Sequence, residues 1–239
     1  ANKVAKVDPL YFAREFRYPA EAGAWQGEFW GKCMLSSVPY AFWMKDEALK
    51  AKIAASVKEV IANQESDGYI GNYPRERRAD KGWDIWGNKY TLLGLLAWHE
   101  RTGDKEALAA AERLAGYLMN LFVPGKRHLN ETGCFRGLPS CSVLEAVVKL
   151  YTATGKAAYR DFAAYIVDEL DLSGRAPRLL TDAAVPPDNI PSSIAAAARP
   201  TPKASGSTLE SGIGAKEQSV VSLSTPRIAR SCGMRSPRS

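Results

Sequence analysis

Three short stretches carry the side chains best suited to chemistry: "WQGEFWGK" (25–32), "GWDIWGNKY" (82–90) and "CFRGLPSCSVLE" (134–145). Each sets aromatic, amide or carboxylate groups beside glycine, just ahead of an apolar run. Sugars are held by that combination, because ring C–H faces stack on Trp or Tyr while hydroxyls bond to carboxylates and amides. The candidate substrate-binding residues are Gln26, Glu28, Trp30, Trp83, Asp84, Trp86, Lys89, Tyr90 and Glu145. Glycosidases commonly place two carboxyl groups roughly 5 to 10 Å apart. Glu28, Asp84 and Glu145 stand at the heads of three successive runs, so neighbouring pairs fit that window, and spacing alone selects none of them.

Each candidate also has a structural alternative. Trp30 and Trp86 suit helix anchors, and Asp84 suits an N-cap. Glu28 and Glu145 suit ion pairs with Lys32 or Arg136, and Lys89 suits a salt bridge. His99, next to a turn, reads as a half-exposed structural residue. The cysteines Cys134 and Cys141 are spaced C-x6-C, which is not a zinc spacing, and neither His99 nor His128 stands at a supporting interval. Free or buried thiols and a Cys134–Cys141 disulfide both remain open. No metal site is expected, and no nucleophile elbow, P-loop or dinucleotide fingerprint supports another chemistry.

Helical hairpins must position these stretches. "WGKCMLSSVPYAFWM" puts Trp30, Cys33, Met34, Val38, Ala41 and Phe42 on one stripe. Leu49, Ile53, Val57, Val60 and Ile61 form the stripe of the helix that follows. "NKYTLLGLLAWHE" pairs with "KEALAAAERLAGYLMNLF", and "SVLEAVVKLYTA" pairs with "AAYRDFAAYIVDEL". Gly103 and Gly155 sit where left-handed C-caps are wanted. The first helix of each pair is apolar nearly all round and the second is amphipathic, which predicts an inner and an outer layer. A ring of such pairs is an α/α toroid and an open array is a solenoid.

The chain changes character after about residue 172. All 23 aromatic residues lie at or before Tyr165, and eight of the 14 prolines lie beyond Leu172. Residues 173–239 also hold nine Lys or Arg against four Asp or Glu, leaving 23 basic and 22 acidic residues for 1–172. The high pI therefore belongs to the tail, and no basic face of the body indicates nucleic acid. A Pro/Ser/Arg-rich segment without aromatics cannot offset its ordering entropy by burial, which predicts disorder. The alternative is a truncated or frame-shifted product with native sequence to about residue 180. No apolar run reaches the roughly 18 residues of a membrane helix, so no membrane partner is expected. The N-terminus lacks the apolar region of a signal peptide. The compartment stays open between cytoplasm and, after removal of a leader, a bacterial periplasmic or secreted location. Oligomeric state is not legible.

"GAWQGEFWGKCMLSSVPYAFW", "QESDGYIGNY", "WDIWGNKYTLLGLLAWHERTGD" and "SCSVLEAVVKLYTATG", in that order, resemble the beta-L-arabinofuranosidase-like proteins of glycoside hydrolase family 127 over roughly residues 8–172. The resemblance implies an all-α, partial (α/α)6 barrel of about three hairpins followed by an irregular tail. It also implies retaining hydrolysis of beta-L-arabinofuranosides or related plant-glycan sugars, with carbohydrate as the partner. In such proteins a zinc-held cysteine thiolate is the nucleophile, with a glutamate close by. Those residues belong to later hairpins, and this sequence has no Glu-x-x-Cys or Cys-Cys element beyond residue 172. The resemblance therefore carries over no catalytic residue, and zinc is expected in the complete family domain rather than here. "NKY" and "PSCSVLE" stand where some relatives have histidines, and Glu145 is the retained match. The chain is expected to be inactive, and its open inner edges to promote aggregation or rapid amide exchange. The competing expectation is a non-catalytic helical-repeat module that binds carbohydrate or protein.

Overall fold

The computed structural model describes residues 8–18, 26–80, 82–122 and 127–171. The expected tail, 173–239, and the boundary at 172 lie outside the described residues. Within them the fold is all-helical: α1 (Pro9–Arg14), α2 (Gln26–Trp43), α3 (Glu47–Ala62), α4 (Asp84–Thr102), α5 (Lys105–Leu121), α6 (Leu138–Cys141), α7 (Leu144–Thr154) and α8 (Ala157–Leu170).

Local chemistry sets the ends of these helices. Asp46 accepts from the Leu49 N–H at 2.9 Å to open α3, and Asp104 accepts from Glu106 and Ala107 to open α5. Gly103 and Gly155 close α4 and α7 at φ 71° and 67°, a backbone region closed to most side chains. The predicted stripes are buried: Trp30, Met34, Val38 and Ala41 on α2, and Leu49, Ile53, Val57 and Val60 on α3.

The helices form three hairpins, α2–α3, α4–α5 and α7–α8, set as an arc of an (α/α) barrel. α4 is central in the inner layer, flanked by α2 on one side and α7 on the other, with α3, α5 and α8 outside. Its all-round apolar surface follows from that position: Ile85, Leu92, Leu93, Leu95, Leu96 and Trp98 are all buried. The outer helix α5 buries only one face, through Ala107, Ala110, Ala111, Leu114 and Leu118. The inner helices at the two ends of the arc carry exposed apolar side chains, Phe29 and Leu35 on α2, Val148 and Tyr151 on α7.

Helix α1 was not foreseen from periodicity. Six residues are too few to show a stripe, yet Asp8 caps it and Pro9 starts it. It lies across α3 and α2, and Phe16, just beyond it, meets Trp30 edge-on at 6.2 Å.

Candidate functional site: the heads of the inner helices

The first turns of α2 and α4 touch backbone to backbone. A Cβ on Gly27 would stand 2.9 Å from the Gly87 carbonyl oxygen, and one on Gly31 2.1 Å from that of Tyr90. The two helices therefore run side by side in the same direction, with residues 27 and 31 level with 87 and 90. Side chains next to these contacts are forced together.

Glu28 and Lys32 pair one turn apart on α2, with Nζ 2.6 Å from Oε1. The Lys32 ammonium lies 5.1 Å from the centre of the Tyr90 ring on α4. Tyr90 meets Trp86 edge-on at 5.1 Å, and Trp86 meets Trp83 at 6.0 Å. Lys89 reaches over both Trp86 and Tyr90 at 5.0 Å, and its Nζ stands 3.3 Å from Glu145 on α7. A continuous polar–aromatic surface thus crosses all three inner helices. Two of its polar atoms are buried without a hydrogen-bond partner, Glu28 Oε2 and Trp86 Nε1.

The structural alternatives hold for part of this set. Glu28 is salt-bridged to Lys32 and Glu145 to Lys89, while the Arg136 side chain lies outside the described residues. An ion pair and a place in a binding surface are compatible, since a fixed charge is a better hydrogen-bonding group than a mobile one.

Two candidates lie elsewhere. Trp30 is wholly buried, its indole N–H donating to Ser56 Oγ at 3.3 Å and its ring seated against Gly94. It is an anchor of the core and presents nothing to a ligand. Asp84 is buried with both oxygens engaged, accepting from the Tyr69 hydroxyl at 2.7 Å and from the Ala79 N–H at 2.8 Å. It neither caps α4 nor faces the surface, so it drops out of the possible carboxylate pairs. Burial pushes its pKa up to about 6 against these two hydrogen bonds. Its task is to fasten the 69–83 loop. The Tyr73 N–H donates to Tyr69 Oη at 3.1 Å, and the Trp83 N–H donates to Tyr73 Oη at 2.9 Å. Arg78 stacks over Tyr69 at 3.6 Å. The Gln26 side chain lies outside the described residues.

Lys32 and Phe135 belong to the surface but were not among the candidates. Glu28–Lys32 spacing of four was the available signal for the first. Phe135 meets Trp83 at 6.2 Å from a φ of 49°, uncommon for so bulky a residue; its place as the aromatic of the third stretch was the available signal. His99 is half-buried, with Nδ1 2.8 Å from the Asp104 carbonyl oxygen. Cys141 is a free buried thiol, so the Cys134–Cys141 disulfide is not formed. Among the described residues no three His, Cys, Asp or Glu converge to hold a metal ion. These residues do not fit a zinc site, and no step through zinc is derived from them. No helix among them is long and apolar enough to cross a membrane.

The family model described as "Beta-L-arabinofuranosidase, GH127 catalytic domain" matches residues 4–193. The chain belongs to glycoside hydrolase family 127. A similar protein is the non-reducing end beta-L-arabinofuranosidase of Bifidobacterium longum, 26% identical over 62% of this chain and 25% of the relative. The chain thus spans about a quarter of that relative. The crystal structure of a GH127 beta-L-arabinofuranosidase from Geobacillus stearothermophilus T6 superposes with a TM-score of 0.55 at 18% identity, over 77% of this chain and 31% of that one. The second likeness speaks for the shared fold.

Proposed function

We propose that the chain supplies one wall of a carbohydrate site in a GH127 glycoside hydrolase, with beta-L-arabinofuranosyl or related plant-glycan sugars as ligands. The observation that carries this is the convergence of Glu28, Lys32, Trp86, Lys89, Tyr90 and Glu145 from three inner helices onto one surface. Trp86 and Tyr90 offer ring faces for sugar C–H bonds, and the two lysine–carboxylate pairs offer fixed donors and acceptors for hydroxyls. Family membership supports a carbohydrate ligand, and the printed activity of the named relative supports an arabinofuranosyl unit.

The wall binds and orients, and bond cleavage belongs to residues other than those described. Neither of its carboxylates is free of a lysine partner, and the zinc of the complete family domain would be held elsewhere. The described wall therefore holds sugar without turning it over.

Titrating the full chain with methyl beta-L-arabinofuranoside by ligand-observed NMR tests the site. A parallel hydrolysis assay and a zinc measurement test the inactivity. Saturable binding that Trp86→Ala abolishes, with neither turnover nor stoichiometric zinc, is the expected result. Turnover together with bound zinc would overturn the inactivity. Binding of unrelated glycans with no preference for the furanoside would favour a general binding module.

A further inference from the structure

We propose that Glu28 and Trp86 read a single sugar hydroxyl, which donates to Glu28 Oε2 and accepts from Trp86 Nε1, and so set the specificity of this wall. The inference rests on the sugar-site reading above. It starts from two buried polar atoms that have no partner, one on each of two touching helices. Buried donors and acceptors are almost always satisfied, so two left open on touching helices point to a polar group that completes them.

The geometry brings the two together. Gly27 meets the Gly87 carbonyl across the helix contact. Glu28 follows the first glycine and Trp86 precedes the second, so both stand at the level of the contact. One turn further along, Lys32 on α2 faces Tyr90 on α4, which places Glu28 and Trp86 on the same side of the helix pair. Both groups are also held in orientation. Lys32 occupies Oε1 of Glu28, which leaves Oε2 as the open acceptor. The Trp86 ring is fixed by Trp83 and Tyr90 at its edges and by the Lys89 ammonium on its face.

The chemistry selects the ligand group. An ionised carboxylate oxygen only accepts and an indole N–H only donates. A hydroxyl does both at one oxygen and satisfies the two together. Asn88 Oδ1 is also without a partner, but it belongs to another environment. Asn88 is wholly buried and its amide donates to the Ile70 carbonyl at 3.1 Å, in the seat of the 69–83 loop.

The test uses the full chain, methyl beta-L-arabinofuranoside and its 2-, 3- and 5-deoxy analogues. Affinities are measured by ligand-observed NMR for the parent protein, Glu28→Gln and Trp86→Phe, with circular dichroism confirming the fold of each. Trp86→Phe keeps a smaller aromatic face and removes the donor. Glu28→Gln keeps the shape and turns a charged acceptor into a neutral amide. One deoxy analogue is expected to bind the parent protein roughly tenfold or more weaker than the full sugar, because a site built for a hydroxyl rejects the ligand lacking it. Each variant should lose a similar factor with the full sugar and nothing further with that one analogue, the signature of a shared contact. Variants that weaken every analogue by the same factor would overturn the shared hydroxyl and leave the sugar site standing. No binding of any arabinofuranoside by the parent protein would overturn both. If one variant fails to fold, the other carries the same comparison.

Discussion

Gly31→Ala should damage both the fold and the site, although alanine is the better helix former. The added Cβ would lie 2.1 Å from the Tyr90 carbonyl oxygen, 2.5 Å from its carbon and 2.6 Å from its Cβ. Reaching ordinary contact at 3.4 Å requires α2 and α4 to part by about 1.3 Å at this point. Two of the three obstructing atoms are backbone of a packed helix, so no side-chain rotation relieves them. Overpacking a core costs about 1–3 kcal/mol, and this contact belongs at the upper end. The helix propensity gained on replacing glycine offsets about 1 kcal/mol. A net loss of about 2 kcal/mol is expected, read as a lower midpoint in urea unfolding followed by circular dichroism. The separation also carries Lys32 away from Tyr90, so sugar binding should weaken beyond what the lost stability explains. Gly116→Ala on α5 is the matched control. Its Cβ meets nothing within 4 Å, so it should stabilise by up to about 1 kcal/mol. A Gly31→Ala midpoint equal to or above that of the parent chain would refute the backbone contact between α2 and α4.

Three further outcomes follow from buried groups. The Asp84 pKa, raised to about 6 by burial from an ordinary 3.8, means that the folded chain holds this proton more tightly than the unfolded one. Its contribution to stability is therefore full below about pH 4 and lost as pH rises through about 6, a difference of about 3 kcal/mol. Asp84→Asn should flatten that part of the stability–pH profile measured by urea unfolding, and an unchanged slope would mean the group titrates normally. Asp104→Ala removes the acceptor for two backbone N–H groups and for the Trp98 indole, bonded at 3.0 Å, and should cost about 2–3 kcal/mol in the same assay. Cys141, pushed up to about 12 by burial and with the Glu169 carboxylate reinforcing the shift, should resist iodoacetamide at pH 8 in the folded chain and react after denaturation. Mass spectrometry of the labelled peptide decides the point.

The helices were legible because their stripes are local. Leu49, Ile53, Val57 and Val60 fall four or three residues apart and are buried together, and Gly103 and Gly155 end their helices where a left-handed residue is required. The role of Asp84 was not legible, because what engages it is Tyr69, fifteen positions earlier, and the N–H of Ala79 in a loop whose path depends on the surrounding helices. An aspartate at a helix start suits an N-cap or a ligand equally well by type. Only the set of bonds through Tyr69, Tyr73 and Trp83 shows that it fastens the loop instead of lining the surface.

The two Trp-Gly pairs show where more could have been drawn from the sequence. "EFWGK" and "DIWGN" look alike, and type alone assigns Trp30 and Trp86 the same task. Their helical neighbours separate them. Trp30 leads to Met34, Val38 and Ala41, an apolar stripe that runs into the core, where Gly94 leaves space for the indole and Ser56 takes its N–H. Trp86 leads to Lys89 and Tyr90, a charged residue and a half-exposed ring, which no core stripe would carry at those positions. An aromatic at a helix head is therefore better assigned by the residues three and four positions on than by the glycine beside it. By that rule Glu28 falls with its partner Lys32, whose ammonium lies over the Tyr90 ring.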